Sequence, residues 1–404
     1  MKKWTICLLG ALLLITACSP DTNEEVVQEE DTQQETSIVP SYQLSDENYK
    51  MILPYEPSKA RGVIVNQVAN RMDIDEMEEG LRRHSKEVYD PSKYFFQEGQ
   101  YLDEDTVYDW LGRELTESQL EEAVADRIDY LEENKMTVNE ENIRRDFQLG
   151  LNPPIENENS KEDQEANPRY LSHILEQNFL TKNEDNTVNL KGISIGLAMK
   201  SVYRYQTETG GPYYYKDISN SEMMKQATAI AEKVVNRIRN MEGLENVPIM
   251  LAVYSEQEHS SPIPGNYVAK MNVAGGETSL SDWDNIDEQH ILFPSDEGKK
   301  EYFDDHELVT SFGNEIANYF PNYVGIIGEG FYINDELKKL TIEIPIEFYG
   351  KAEVIGFSQY AYGLVQDMFE DYYDLELMIT SSDKVESTIY REAGSDTPTV
   401  RIFH

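Results

Sequence analysis

The sequence predicts an α+β fold in which two tandem related α/β repeats, each with a strand-helix-strand core unit, follow a disordered tether. Three observations lead to this prediction. Similar blocks of sequence recur in the same order in the two halves of the chain. In each half, alternating apolar residues precede apolar residues at three- and four-residue spacing, which indicates a strand followed by a helix. An apolar run and an acidic stretch at the start differ in composition from everything that follows.

The first eighteen residues have the pattern of a bacterial lipoprotein signal. Lys2 and Lys3 precede a short uncharged apolar run that ends at residues 15–18 with Ile-Thr-Ala-Cys. A positive start, a short apolar centre and small residues before a cut are typical of a secretory signal peptide, and the run is too short to span a bilayer. We expect residues 1–17 to be removed and Cys18 to be lipidated. The alternative is an ordinary secretory signal in which this cysteine lies near the cut by chance.

Residues 18–45 are predicted to form a disordered acidic tether. There is no Lys or Arg between Trp4 and Tyr49, and acidic residues crowd a stretch with few large apolar side chains. Such a segment cannot bury enough apolar surface to fold. Two or more acyl chains hold a protein at a membrane firmly, whereas one chain binds only marginally. We therefore expect a body held at the extracellular face of the cell membrane by its lipid anchor.

The body carries an internal duplication. Residues 101–115 align without a gap with residues 302–316, and residues 170–176 align with residues 323–329. Alternating strand residues follow in both halves: Ile193, Ile195, Leu197 and Met199, then Leu340, Ile342, Ile344, Ile346 and Phe348. A helical apolar spacing and a closing alternating strand come after each of them. Matches that recur in one order indicate two copies of the same unit.

We assign residues 46–258 to the first repeat and residues 259–404 to the second. The first repeat is longer because it contains two insertions: a charged, largely helical one at residues 116–168 and a tyrosine-rich loop at residues 205–219. Strands that alternate with helices favour an α+β or α/β fold over a sandwich. Whether the two repeats share one sheet is open at the level of sequence.

Charge and cysteine content exclude several classes of function. Asp and Glu number 76 against 35 Lys and Arg, and the formal net charge is -41. No basic cluster exceeds two adjacent residues, so nucleic acid is excluded as a partner. Cys7 would leave with the signal and Cys18 would carry lipid, which excludes thiol catalysis and zinc-thiolate sites in the mature body. The sequence predicts no cofactor and no metal site.

Two glutamates are the candidates for acid catalysis. Glu176 and Glu329 occupy matching positions in the aligned blocks, and two carboxylates a few ångströms apart can hydrolyse a glycosidic bond. The alternative, which we prefer, is that each glutamate caps a strand entrance or forms a salt bridge. We therefore predict a protein without enzymatic activity, and we keep a cell-wall glycan hydrolase that uses these paired carboxylates as the alternative function.

The tyrosine-rich loop is the best candidate for a small binding site. Tyr213, Tyr214 and Tyr215 follow Gly210 and Gly211. Tyrosine combines an apolar face with a polar tip, which suits the recognition of sugars or peptides, and the glycines allow a tight turn. The alternative is that the loop packs onto its own domain.

Several of these features together resemble the CamS family of sex-pheromone-precursor lipoproteins. They are the lipoprotein signal, the tether, the tandem halves, Arg-Gly-Val-Ile-Val-Asn-Gln-Val-Ala-Asn at residues 61–70 and Gln-Glu-Gly-Gln-Tyr-Leu at residues 97–102. The resemblance implies a Gram-positive source and a signal-peptide tail that is trimmed to a short hydrophobic pheromone. The matching residues here are Ala11, Leu12, Leu13, Leu14, Ile15, Thr16 and Ala17.

The resemblance also implies the partners of maturation. Signal peptidase II would cut between Ala17 and Cys18, prolipoprotein acyl transferase would lipidate the cysteine, and an intramembrane protease would release the peptide. For the mature body the resemblance implies a two-repeat fold and no established reaction. We expect a non-enzymatic module that binds a ligand or partner at the cell envelope.

Overall fold

Two mixed sheets organise the chain. The computed structural model describes residues 23–28, 36–40, 48–68, 70–183, 187–320, 322–348, 350–382 and 384–403. The strands are β1 (Asn23–Gln28), β2 (Thr36–Pro40), β3 (Lys50–Met51), β4 (Phe95–Glu98), β5 (Leu171–Lys182), β6 (Thr187–Lys200), β7 (Val202–Tyr205), β8 (Tyr214–Asp217), β9 (Ile249–Glu256), β10 (Asn266–Val273), β11 (Asp284–Asn285), β12 (Glu288–Phe293), β13 (Ile327–Ile333), β14 (Glu336–Pro345), β15 (Asp374–Ser381), β16 (Lys384–Arg391) and β17 (Thr399–Ile402).

The helices surround these sheets, so the predicted α+β class is confirmed. They are α1 (Val63–Gln67), α2 (Arg71–Ser85), α3 (Glu104–Leu111), α4 (Glu117–Glu133), α5 (Glu140–Phe147), α6 (Lys161–Ala166), α7 (Asn220–Ile238), α8 (Asp296–Glu301), α9 (Phe303–Tyr319) and α10 (Lys351–Met368). Side chains cap the first turns of most of them. Thr116 and Gln119, for example, form a reciprocal capping box at the start of α4, which satisfies backbone groups that a helix end leaves free.

The two sheets have the same topology. The first contains the strand order β4-β5-β6-β9-β10-β11, and the second has the order β12-β13-β14-β15-β16-β17. In both, the third and fourth strands are parallel and the other neighbours are antiparallel. One helix connects each parallel pair, α7 in the first sheet and α10 in the second. The predicted tandem repeat is therefore confirmed, with a separate sheet in each copy.

The first repeat extends beyond the boundary that the sequence predicts. The prediction ends it at residue 258, but β10 and β11 continue the first sheet to Asn285. β10 alternates in burial along its length, with Tyr267 and Met271 buried. The predicted boundary lies too early because the sequences of the two halves resemble each other only as far as the closing strand of each copy. The antiparallel strands after it share little sequence with their counterparts.

Helices cover the sheets on defined faces. In the first repeat, α7 and α3 pack on the face that carries Ile193 and Ile195, and α2 packs through Met77 and Leu81 on the opposite face. In the second repeat, α9 and α10 bury one face through side chains that include Phe312 and Phe357. Burial of these apolar side chains is the main stabilising contribution to each core.

A buried ionic cluster links the two repeats. We call Glu76, Arg83, His84, Glu288, His290 and Glu329 the inter-repeat cluster. Arg83 on α2 donates to both carboxylate oxygens of Glu288 on β12, at 3.1 and 2.9 Å, and to Glu76 at 2.7 Å. Its guanidinium also lies 4.6 Å from the centre of the Phe331 ring on β13. Bidentate geometry of this kind is specific as well as strong, so the cluster orients one repeat against the other.

His290 is the titratable centre of this cluster. Its Nδ1 lies 2.8 Å from Glu329 Oε1, and its Nε2 lies 3.7 Å from Glu76 Oε1, an ion-pair distance that is too long for a hydrogen bond. Burial lowers the pKa of His290, but the hydrogen bond with Glu329 and the charge of Glu76 outweigh burial and raise the pKa to about 9. The imidazole is therefore a cation at neutral pH.

Two short strands lie within the segment that was predicted to be a disordered tether. β1 pairs antiparallel with β2 and, through Val27 and Gln28, parallel with the start of β6. These strands contain β-branched residues, which favour extended backbone. These two strands are the part of residues 18–45 that the structure describes, and the rest of the segment lies outside the described residues. No helix in the described ranges is long and apolar enough to cross a membrane.

Candidate functional site

A cavity of about 450 Å³ lies beside the β7–β8 hairpin. Its walls come from the connection after α3, from the end of the first insertion around α6, and from β7 with the loop that follows it. The lining residues are Arg113, Glu158, Asn159, Gln164, Arg169, Lys200, Tyr203, Arg204, Tyr205, Gln206, Thr207, Glu208 and Thr209. The insertion and the tyrosine-rich loop, which the sequence treats as two separate features, thus meet at one place.

Arg113 holds the insertion against the hairpin. One of its terminal nitrogens donates to the carbonyls of Pro153 and Asn167, both at 2.8 Å. The other donates to Gln164 Oε1 at 3.3 Å and to the Tyr203 hydroxyl at 3.1 Å. All four acceptors are neutral, so the guanidinium is held by hydrogen bonds without an opposing carboxylate.

Stacked tyrosines form one wall of the cavity. The rings of Tyr203 and Tyr205 are stacked with centroids 5.2 Å apart, and Tyr214 stacks on Tyr205 at 5.6 Å. Tyr203 and Tyr205 are buried, and the Tyr205 hydroxyl donates to Glu165 at 2.9 Å. Cross-strand aromatic pairs stabilise hairpins. Because these rings are fixed by packing, the wall is formed before any ligand arrives.

The cavity is rich in unpaired positive charge. Lys200 lies 3.5 Å from Glu256, but no carboxylate of the described residues lies within ion-pair distance of Arg113, Arg169 or Arg204. Burial lowers the pKa of Arg113 and the like charge of Arg169 lowers it further, and these effects outweigh Tyr203 and Glu158, which raise it. Cations that repel one another in this way are stabilised by an anion. The arrangement can therefore bind a negatively charged group.

The three predicted tyrosines are not among the residues that line this cavity, but two of them contact residues that do. Arg204 lies over the ring of Tyr213, 3.5 Å from its centre. Tyr214 supports the wall by stacking on Tyr205. Tyr215 pairs with Arg204 across the hairpin and is 59% exposed. The hairpin packs partly on its own domain, as the alternative interpretation held, and at the same time it positions a cavity residue.

Glu176 has a structural role in the first repeat. Its carboxylate accepts hydrogen bonds from the backbone N–H groups of Gln100 at 3.0 Å, Tyr101 at 3.1 Å and Leu102 at 2.7 Å. Burial raises the pKa of this carboxyl, while the three backbone N–H groups act to lower it. Glu176 therefore fixes the loop before α3, and the preferred interpretation of this residue as a cap fits these contacts.

Glu329 does not occupy the equivalent position. Glu176 pairs with Ile195 on β6, and the counterpart of Ile195 in the second repeat is Ile342, which pairs with Gly328. Glu329 is one residue further along, so its side chain lies on the opposite face of its sheet and contacts His290. The inferred equivalence of the two positions differs from the structure by one residue, because alignment of sequence letters does not resolve a one-residue shift in register. The contact of Glu329 with His290 fits the preferred interpretation of this residue as a salt-bridge partner.

A second cavity of about 110 Å³ lies between the first helices and β4–β5. Its lining includes Arg61, Glu78, Glu98 and His173. Burial lowers the pKa of His173 to about 3, so the ring is neutral, and its Nδ1 has no hydrogen-bond partner among the described residues. The larger cavity at about 450 Å³ has more room for a small ligand, and we take it as the candidate site.

The cavity arginines were missed at the level of sequence. Arg113, Arg169 and Arg204 are isolated cations far apart along the chain, and no local pattern connects them. The one available signal was the alternation of Tyr203, Arg204 and Tyr205 at the edge of the tyrosine-rich loop.

Other predicted residues lie elsewhere. The predicted peptide and lipidation residues 11–18 lie outside the described residues. Within the described ranges, no group of three or more His, Cys, Asp or Glu side chains is placed to hold a metal ion.

Comparisons with known proteins point to one family. The family described as CamS sex pheromone cAM373 precursor matches residues 55–397. A crystal structure of a sex pheromone precursor from Lactobacillus salivarius subsp. salivarius UCC118 has 26% identity and a TM-score of 0.79, covering 91% of this chain and 99% of that one. The C-terminal domain of the sex pheromone staph-cAM373 precursor from Staphylococcus aureus has 30% identity and a TM-score of 0.68, covering 84% and 99%. None of the curated proteins matches.

Proposed function

Because the chain belongs to the CamS sex pheromone cAM373 precursor family, we propose that it is a lipid-anchored lipoprotein on the extracellular face of the cell membrane. The tail of its signal peptide, residues 11–17, is released as a pheromone-like peptide. Its mature body is a non-enzymatic module that binds an envelope ligand. Prolipoprotein acyl transferase and signal peptidase II are its partners during maturation.

The proposed lipid anchor and the proposed release of a peptide both rest on the sequence at residues 15–18. A branched apolar residue stands three positions before the cysteine, and alanine stands directly before it. This arrangement ends an apolar run with a positive start, as in a cleaved signal. The two solved relatives are both described as sex pheromone precursors, which supports the same origin for the peptide here.

The geometry of the body supports binding rather than hydrolysis. Glycoside hydrolysis needs two carboxyl groups on either side of the scissile bond. Glu176 is instead occupied by three backbone N–H groups, and Glu329 is occupied by His290. The cavity beside the hairpin offers cations, amides and hydroxyls, a set of groups that suits ligand recognition.

Serine in place of Cys18 is expected to abolish lipidation. The hydroxyl cannot form the thioether to diacylglycerol, so Cys18→Ser should incorporate no labelled palmitate and should keep its signal peptide. Growth of the producing cells with labelled palmitate, followed by gel electrophoresis, measures both effects. Cys7→Ser is the matched control, because this cysteine lies inside the apolar run, and it should be labelled like the wild type. A labelled Cys18→Ser protein would contradict the proposal.

A further inference from the structure

The cavity beside the β7–β8 hairpin concentrates positive charge in a strongly acidic protein. Acidic residues outnumber basic ones by 76 to 35 over the chain. Four basic residues nevertheless line this one cavity with two acidic ones, Glu158 and Glu208, both of which are exposed. A local reversal of charge of this kind attracts anions against the field of the whole protein.

Among the described residues, no carboxylate lies within ion-pair distance of the three cavity arginines, and Glu158 acts on Arg113 only through its charge. The Nε atoms of Arg113 and Arg204 are buried and have no hydrogen-bond partner among the described residues. Buried donors and like charges without partners cost free energy, and a bound anion would remove that cost. We propose that this cavity binds the phosphate group of a sugar phosphate or polyol phosphate. The inference rests on the binding-module part of the proposed function and names its ligand class.

The arrangement of the arginines favours phosphate over carboxylate. Arg113 follows α3, Arg169 precedes β5 and Arg204 lies on β7, so the three residues that line the cavity come from different parts of the fold. A tetrahedral phosphate has acceptor oxygens in several directions, whereas a carboxylate has two oxygens in one plane. The terminal nitrogens of Arg113 already donate to four protein acceptors, so pairs of N–H donors for phosphate oxygens would come from Arg169 and Arg204.

The rest of the wall favours a ligand rich in hydroxyl groups. The amide and hydroxyl side chains that line the cavity are Asn159, Gln164, Gln206, Thr207 and Thr209. The stacked rings of Tyr203 and Tyr205, which are buried, hold the wall beside them in place. Amides and hydroxyls can donate to and accept from the hydroxyls of a polyol. A volume of about 450 Å³ fits a small ligand of this type, since ligand cavities are commonly several hundred Å³.

Titration calorimetry with the full-length protein in detergent tests the proposal. The probes are glycerol 3-phosphate, inorganic phosphate, glycerol and glyceric acid. We expect glycerol 3-phosphate to bind most tightly, glycerol not to bind, and glyceric acid to bind at least about tenfold more weakly, because the phosphate monoester carries more charge and more acceptor oxygens. Binding should also weaken as sodium chloride rises, because ionic contacts are screened.

Two variants identify the cavity as the place of binding. Arg169→Gln and Arg204→Gln should each weaken the binding of glycerol 3-phosphate by about tenfold or more, which is the loss of affinity typical of one charge-assisted contact. Arg145→Gln is the matched control: it removes one cation from α5, where the side chain is 71% exposed, and should bind like the wild type.

Several outcomes would overturn the inference. They are no binding of any probe, equal binding of phosphate and glyceric acid, or unchanged binding by both arginine variants. If inorganic phosphate bound as tightly as glycerol 3-phosphate, the polyol part would be wrong. The salt dependence of glycerol 3-phosphate binding to the wild type tests for ionic contacts even if a variant does not fold. The outcome is independent of lipidation and peptide release, so failure here is distinguishable from failure of the proposed anchor.

Discussion

Alanine at Glu176 should lower the free energy of unfolding by about 3 kcal/mol or more, since each buried backbone donor that loses its acceptor costs about 1–3 kcal/mol. The carboxylate accepts from the backbone N–H groups of Gln100, Tyr101 and Leu102. The loop also packs tightly there, because a Cβ at Gly99 would lie 2.7 Å from the Cβ of Glu176. Unfolding in guanidinium chloride measures the loss.

The second repeat provides the control for this change. Among the described residues, the side chain of Glu329 bonds to His290, and it is 27% exposed, so Glu329→Ala should cost about 1 kcal/mol, typical of one partly exposed charged contact. Glu176→Gln keeps the shape and one acceptor oxygen, and should fall between the wild type and Glu176→Ala. Equal losses for Glu176→Ala and Glu329→Ala would contradict the assignment of Glu176 as the fixed point of the loop.

A rise in pH from 7 to 10 is expected to weaken the contact between the repeats. The pKa of His290 is about 9 in the folded protein against a reference value of 6.5. A raised pKa means that the folded state holds the proton more tightly. The stabilisation that the His290 charge contributes to the folded state is fully present below pH 6.5, and it is lost as the pH rises through 9. This shift in pKa corresponds to about 3 kcal/mol in the free energy of unfolding.

His290→Gln isolates this contribution. Glutamine can still bond to Glu329 but cannot carry the positive charge that faces Glu76 and Glu329. We expect the variant to be about 3 kcal/mol less stable than the wild type at pH 6, and the difference to shrink towards zero at pH 10. Guanidinium unfolding of both proteins across this range measures it. A difference that stays constant with pH would show that His290 acts through packing rather than charge.

The repeated topology could be predicted because it depends on periodicity. Ile193 and Leu340 begin alternating runs of apolar residues. In the structure Ile193 pairs with Ile249 and Leu340 pairs with Leu375, as the alignment of the two halves predicts. A period of two specifies a strand and the face that it buries. Local patterns of this kind survive insertions, which is why the core units could be found in a repeat interrupted by α4, α5 and α6.

Register and site composition could not be predicted in the same way. The shift that separates Glu176 from the counterpart of Glu329 is a single residue, and backbone pairing determines it. The cavity depends on Arg113, Arg169 and Arg204, which the insertion and the hairpin bring together from distant parts of the chain. Tertiary contacts of this kind leave no spacing in the sequence. The three tyrosines are adjacent in the sequence and so form a local pattern, and Arg204 connects them to the cavity through its contacts with Tyr213 and Tyr215.

Mass spectrometry of the producing cells and their medium tests the central claim most directly. The account predicts a mature protein whose first residue is Cys18 with attached acyl chains, and a free peptide in the medium that lies within residues 11–17 and ends at Ala17. A mature N-terminus at another residue, or a Cys18 without lipid, would contradict the anchor. A lipidated Cys18 with no released peptide would contradict the precursor function and leave the body as the site of function.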